Sequence, residues 1–197
     1  MTKNLLLGAL LILAVPPFVA APVSDSGIPP NDAVRAKAAW EHIKGMAGEW
    51  SGAATDGRKI THRVQLIAAG SVVMEESWFE GHKGEMMVTT YYMDGDKLML
   101  THYCVAKNAP RMQATEISED GRNVLFTFVD GANIPTRDKG HMDKASYKFS
   151  EKGTFSSRWT WYANGKEQWM EEFNFSRATG AKSEAAGLKP PIESSCH

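Results

Sequence analysis

An imidazole and a thiol occur close together in the stretch DGDKLMLTHYCVAKNAPRM, which runs from Asp94 to Met112. Its composition predicts a β-strand, in which alternate side chains point to the same face. His102 and Cys104 would then share a face with two leucines, at a spacing of about 6 to 7 Å between neighbouring positions. Both faces of this strand are apolar enough to be the inner one. If the leucine face is inside, a titratable base and a soft nucleophile or metal ligand lie together in an apolar cavity.

A second histidine could complete a metal site with these two residues. His141 follows a glycine in the turn before a later strand, and His102, Cys104 and His141 together would suit zinc or copper. The sequence lacks the compact spacing of common metal motifs, and the alternative is a hydrogen-bonded core histidine beside a packed cysteine. A catalytic pair is disfavoured, because positions i and i+2 of a strand usually hold side chains too far apart for a hydrogen bond. We therefore predict no catalytic residue and assign no cofactor.

An arginine and an adjacent pair of glutamates are the other candidate polar groups. Directed inward, Arg111 would need an anion, either a protein carboxylate or the acidic headgroup of a ligand; directed outward, it would form a salt bridge at the rim. Glu75 and Glu76 point to opposite faces of the strand predicted over 72–79, so one of them faces inward. If Glu76 shares the inner face with Trp78, it is the expected partner of Arg111.

One helix and many short strands must position these residues. Asn31 or Asp32 is the predicted N-cap of a helix over 33–44, and Gly45 stands at its C-cap position. Beyond residue 47, short β-branched and aromatic runs alternate with turn signals, which predicts about ten strands.

The spacing of these strands predicts an antiparallel barrel. About 13 residues per strand suits hairpin connections, whereas parallel strands need a longer crossover. Ten antiparallel strands avoid exposed edges by closing. A barrel of this width is too large for its own side chains to fill, so we expect a ligand cavity, with the helix covering one end and Trp50 and Trp78 as wall or floor.

The terminal segments predict an exported protein with one domain. Lys3 precedes an apolar run over 5–15 and a small-residue site ending at Ala21, the pattern of a secretory signal peptide; the run is too short to span a membrane. Removing residues 1–21 leaves 21 basic against 23 acidic residues, and nothing indicates nucleic-acid binding. The predicted organisation is a signal peptide over 1–21, a linker over 22–32, a helix and barrel over 33–177 and a flexible tail over 178–197.

The chain has two cysteines, Cys104 and Cys196. An oxidising compartment would allow them to form a disulfide, but Cys196 lies in the polar tail and Cys104 in a predicted central strand. A buried, reduced Cys104 is therefore the favoured alternative.

The motifs of the chain resemble those of a known group of proteins. The helix followed by Gly48-Glu49-Trp50 resembles the entry to the first strand of calycins, the group that includes lipocalins and the haem-binding nitrobindins. The segments GEWSG, EMMVTTYYMDGDKLMLTHYC, NAPRM and GHMD together resemble an uncharacterised family of small secreted bacterial proteins with a lipocalin-like barrel. The resemblance covers roughly residues 39–177 and implies a barrel fold without an assigned function. Nitrobindins hold haem through a histidine late in the chain, and the strands over 154–176 contain none.

The sequence thus predicts an all-β, roughly ten-stranded, up-and-down, lipocalin-like barrel with one N-terminal helix. We expect a secreted or periplasmic protein, a monomer or weak dimer, that binds a small apolar molecule, with or without an acidic headgroup. The alternatives are a metal- or haem-binding barrel and a structural or partner-binding domain without ligand. The residues predicted to contact the ligand are His102, Cys104, Arg111, His141, Glu76, Trp78 and Trp50.

Overall fold

The structure, a computed structural model, describes residues 30–54, 56–170 and 172–178. The predicted signal peptide and nearly all of the predicted tail lie outside these ranges. The elements in chain order are α1 (Pro30–Lys44), β1 (Gly48–Ala53), β2 (Lys59–Ile67), β3 (Val72–Phe79), β4 (Met87–Asp94), β5 (Lys97–Tyr103), β6 (Ala109–Ile117), β7 (Asn123–Ala132), β8 (His141–Phe149), β9 (Phe155–Ala163), β10 (Lys166–Trp169) and β11 (Phe173–Arg177).

Helix α1 begins slightly earlier than predicted and ends where the sequence indicates. It includes Pro30, since proline is well accommodated in the first turn of a helix. At the other end, the amide of Gly45 donates to the carbonyl of Glu41 at 2.9 Å. Its inner face is buried at Ala39 and Ile43. No helix among the described residues is long and apolar enough to cross a membrane.

The strands form a closed, ten-stranded antiparallel barrel, as the sequence predicts. Strands β1 to β9 pair in chain order, and β11 completes the ring by pairing with both β9 and β1. Strand β10 pairs with the later half of β9, so β10 and β11 lie along the same edge of that strand as two segments. Strands β1 to β9 and β11 are paired on both sides, which reduces the aggregation hazard of an open sheet, whereas β10 pairs with β9 alone.

The helix defines two different ends of the barrel. Helix α1 contacts β4, β5 and β6. The hairpin between β6 and β7 approaches it so closely that Gly121 packs on the backbone around Ala39. His42 also stacks on Phe149 with the ring centroids 5.4 Å apart. We call this the helix end. The connections β1–β2, β3–β4, β5–β6, β7–β8 and β9–β10 lie at the opposite end, the far end.

Candidate functional site

His102 lies inside the barrel near the far end. It is 4 % exposed, and its Nδ1 forms a hydrogen bond with Thr89 Oγ1 at 2.9 Å. Its ring packs on Trp159, across the interior on β9, with the centroids 4.8 Å apart. The other ring nitrogen, Nε2, is buried and has no hydrogen-bond partner among the described residues. A buried polar atom without a partner is rare, because it loses its hydration without compensation.

A carboxyl group lies in the same cross-strand row as this histidine. Glu75 on β3 is the direct partner of Thr89 on β4, which is in turn the partner of His102 on β5. Such a row spans two inter-strand steps, about 10 Å between the outer Cα atoms.

Glu75 belongs to a hydrogen-bonded network that crosses the barrel. Tyr91 donates its hydroxyl proton to Glu75 Oε2 at 2.9 Å, and the hydroxyls of Tyr91 and Tyr147 are 2.6 Å apart. Because the single proton of Tyr91 is used on Glu75, Tyr147 is the donor between the tyrosines. His62 Nδ1 lies 3.5 Å from Glu75 Oε2, too distant and poorly oriented for a hydrogen bond. This network joins β3, β4 and β8 through buried polar atoms, and His62 of β2 lies beside it.

Burial shifts the protonation of these groups toward their neutral forms. Loss of hydration raises the pKa of Glu75 to about 7, partly opposed by the hydrogen bond from Tyr91. The same loss lowers the pKa of His62 to about 3 and that of His102 to about 4. The interior therefore presents neutral imidazoles at neutral pH, together with one carboxyl group that titrates there.

His141 is also buried, but its two ring nitrogens are already occupied. Nδ1 donates to the carbonyl of Lys139 at 2.5 Å, and Nε2 accepts from Arg137 Nη1 at 2.6 Å. The guanidinium of Arg137 also pairs with Asp143 at 2.5 Å and lies 4.0 Å above the ring of Tyr162. These contacts hold the β7–β8 connection against the far end of the barrel. Both ring nitrogens of His141 are occupied by them, so neither is free for a ligand or metal.

Arg111 faces outward, so its predicted place in the cavity is wrong. Its side chain is 42 % exposed and forms two hydrogen bonds with Asp130, Nε to Oδ1 at 2.8 Å and Nη2 to Oδ2 at 2.5 Å. These bonds keep the pKa of Asp130 below its usual value. The alternative of a salt bridge on the outside of the barrel is the one that the structure adopts.

The glutamate pair has the opposite parity to the one that makes Glu76 a ligand contact. Glu75 is the inward residue, whereas Glu76 points outward and lies 3.5 Å from Arg63. Trp78, two positions along, is also on the outer face, with Arg63 5.9 Å above its ring. Because alternation in a strand fixes all positions together, assigning Glu76 inward also misplaced Trp78.

Cys104 lies just after the end of β5, in the turn before β6. Its carbonyl accepts from the amide of Lys107 at 2.9 Å, and the thiol is partly buried, which raises its pKa and disfavours the reactive thiolate. Cys196 is outside the described residues, so the favoured reduced state of Cys104 stays a prediction. Among the described residues, no three His, Cys, Asp or Glu side chains gather to hold a metal ion, so His102, Cys104 and His141 do not form the metal triad considered as an alternative.

Trp50 is buried at the helix end. Its Nε1 donates to the carbonyl of Met46 at 2.6 Å, and its ring packs edge-on against Phe155 with the centroids 4.8 Å apart. It therefore belongs to the floor of the barrel, away from His102.

The sequence interpretation missed two residues of the interior, Tyr91 and Tyr147. Alternation places Trp159 on the strand face that also holds Phe155, and the structure has that face inward. Alternation could not have paired Tyr91 with Tyr147, which is 56 positions away along the chain.

Two depressions open to the surface near β8, β9 and β11. One of about 130 Å³ is lined by outward side chains that include Lys148 and Arg158, and one of about 510 Å³ lies beside the β8–β9 hairpin. The interior is crossed by the contact of Tyr91 with Tyr147 and by that of His102 with Trp159. These side chains occupy part of the space that the sequence assigns to a ligand cavity.

Comparison with known proteins gives a fold-level similarity only. No protein-family model and no curated protein matches the chain. Among solved structures, it is similar to a protein of unknown function from the DUF3598 family of Nostoc punctiforme PCC 73102, at 13 % identity and a TM-score of 0.44. The match covers 69 % of this chain and 49 % of that protein, so the chain spans about half the length of its structural neighbour. That neighbour has no assigned function and brings none to this chain, and the resemblance to a lipocalin-like family stays a prediction.

Proposed function

We propose that this protein is a small-molecule-binding barrel whose ligand is largely apolar and enters from the far end. The observation that carries the proposal is the buried Nε2 of His102, which has no hydrogen-bond partner among the described residues. Apolar binding sites characteristically contain a few polar groups that orient the ligand, and an unsatisfied imidazole nitrogen is such a group. A hydrogen bond from the ligand would remove the cost of leaving that atom bare.

Two neighbours prepare His102 for this role. Thr89 holds Nδ1, which fixes the orientation of the ring, so Nε2 cannot turn away to another partner. Trp159 packs on the same ring and supplies a flat apolar surface for the ligand. Because the indole contacts the imidazole directly, its fluorescence is expected to respond when a ligand engages Nε2.

We further propose that the protein acts outside the cytoplasm as a monomer or weak dimer. The signal-like segment over residues 1–21 supports export. Mass analysis of the protein recovered from its producing cells would reveal an N-terminus at residue 22 if Ala21 ends the signal peptide. Light scattering on the same material would give the oligomeric state.

Native mass spectrometry of the exported protein is the first test of ligand binding. We expect a discrete excess mass that organic solvent removes and that elemental analysis does not attribute to a metal. Titration with the neutral fluorophore N-phenyl-1-naphthylamine provides a second readout, for which we expect saturation at one site.

A matched pair of variants locates that site. His102→Phe retains a ring of similar size but removes Nε2, and we expect fluorophore affinity to fall about tenfold, the effect of one buried hydrogen bond. Tyr103→Phe changes the next residue of β5, which is 52 % exposed on the outer face, and should leave affinity unchanged. A bare mass together with no saturable fluorophore binding would contradict the proposal and favour a structural or partner-binding domain.

A further inference from the structure

We infer that the ligand carries an uncharged hydrogen-bonding group, such as a hydroxyl or carbonyl, and that the barrel excludes apolar acids. This inference rests on the proposed function and specifies the class of ligand. It reverses the expectation of an acidic headgroup that an inward Arg111 would have supported.

The first step is the absence of a positive charge inside. Among the described residues, no lysine or arginine is buried, and the buried polar and charged groups are histidine, glutamate, aspartate, asparagine, serine and threonine. Arg111 forms a salt bridge with Asp130 on the outer face of the barrel. Arg137, which bonds to the buried His141, is already paired with Asp143 and lies over the rings of Phe128 and Tyr162. A buried carboxylate headgroup would therefore lack a counter-ion, which is costly in an apolar environment.

The second step is the position of Glu75. A ligand group bonded to His102 Nε2 would lie by the same cross-strand row as Glu75, separated from it by Thr89. His62, Tyr91 and Tyr147 face Glu75 from the neighbouring strands, and none of them offers a positive charge at neutral pH, since burial lowers the pKa of His62 to about 3. Two negative charges at such a spacing repel each other far more strongly inside a protein than in water.

The third step is the chemistry of His102 itself. Burial lowers its pKa to about 4, so at neutral pH it is an uncharged imidazole that can donate or accept one hydrogen bond through Nε2. An imidazolium would attract a carboxylate, whereas a neutral ring provides a hydrogen bond without net charge. A hydroxyl can complement either tautomer, since it both donates and accepts.

Competition between three ten-carbon probes tests the inference. Displacement of N-phenyl-1-naphthylamine by 1-decanol, decanoate and decylamine is measured at pH 8, where Glu75 is largely ionised. We expect 1-decanol to bind at least about tenfold more tightly than decanoate. Decanoate or decylamine binding as tightly as 1-decanol would overturn the inference while leaving the proposed function intact. If the fluorophore does not bind and the exported protein carries no excess mass, the proposed function has failed instead.

The variant Glu75→Gln distinguishes an effect of the Glu75 charge from a general preference of any apolar pocket for alcohols. This change keeps the size of the side chain and an acceptor for Tyr91 but removes the charge, so the ratio of 1-decanol to decanoate affinity should fall severalfold. Arg111→Met should leave the ratio unchanged. An unchanged ratio in Glu75→Gln would overturn the role of Glu75.

A change of pH tests the role of the Glu75 charge in the wild-type protein, without a substitution. At pH 5.5 decanoate is still mostly ionised, whereas Glu75 is mostly protonated, so the ratio should narrow relative to pH 8. A ratio that widens at the lower pH would contradict the inference.

Discussion

Glu75 illustrates how one residue can set the properties of the barrel interior. Its carboxyl group is 2 % exposed, accepts a hydrogen bond from Tyr91 and faces the uncharged ring of His62. One hydrogen bond from a phenol does not replace the hydration of a carboxylate, so the proton is retained to higher pH. Glu76, the next residue, avoids this cost by reaching the outer surface beside Arg63.

The pH dependence of stability should report this difference. The pKa of Glu75 rises from 4.5 to about 7 on folding, so its contribution to stability is fully present below pH 4.5 and is lost as the pH rises through 7. The shift corresponds to about 3 kcal/mol, an upper estimate. We expect the stability of Glu75→Gln relative to wild type to increase by up to this amount between pH 4.5 and pH 8 in urea unfolding. Glu76→Gln is the control, because Glu76 lies on the outer face and its replacement removes no buried charge; an equal slope for both variants would refute the role of burial.

At the scale of elements, the packing of α1 against the β6–β7 hairpin closes the helix end. Gly121 has a φ of +71° and lies against the backbone of Ala38 and Ala39, so this turn needs both the conformational freedom and the small size of glycine. His42 Nε2 lies 3.0 Å from the carbonyl of Asp120 and completes the contact. The β6–β7 turn therefore both connects two strands and forms the surface on which α1 lies.

Two glycine substitutions distinguish the requirement for conformational freedom from the requirement for a small residue. Gly153, in the β8–β9 hairpin, has a φ of +74° and open space where a Cβ would be. Gly153→Ala should therefore cost only the conformational strain, about 1 kcal/mol. Gly121→Ala carries the same strain and also displaces α1, and we expect an additional loss of about 1 to 3 kcal/mol in the free energy of unfolding. Hydrogen exchange should accelerate in α1 for Gly121→Ala alone; equal losses in the two variants would contradict the close contact.

At the scale of the whole molecule, the seam between β1 and β11 joins the first strand to the last. The ring of Phe175 stacks on Phe155 with the centroids 4.5 Å apart and lies directly over Gly52 of β1. A side chain at Gly52 would collide with Phe175 and with Ile60 of β2. The absence of a side chain at one position of β1 therefore allows the ring to close.

Two valine substitutions in β1 test the seam between β1 and β11. Gly52→Val places two methyl groups against Phe175, and we expect a loss of about 1 to 3 kcal/mol from overpacking, with faster amide exchange in β1 and β11. Ala53→Val, one residue along, points to solvent and should have little effect on stability. If both variants keep wild-type exchange at β11, closure does not depend on this contact.

The sequence by itself determined the class of fold, because turn residues and short alternating runs are local signals. These signals defined α1, the number of strands and the need for the strands to close. They could not decide which face of β5 lies inside, since Met99 on the outer face is as apolar as Leu98 and Leu100 on the inner one. Only the tertiary structure resolved that parity.

The candidate site could be predicted only in part, because local signals do not decide which strand face lies inside. His102 follows from alternation once the parity of β5 is known. The outward turn of Arg111 toward Asp130, and the meeting of Tyr91 with Tyr147, depend on how strands far apart in sequence align when the barrel closes. A period of two relates residues within one strand, whereas contacts across the ring depend on register and curvature, which no local pattern encodes.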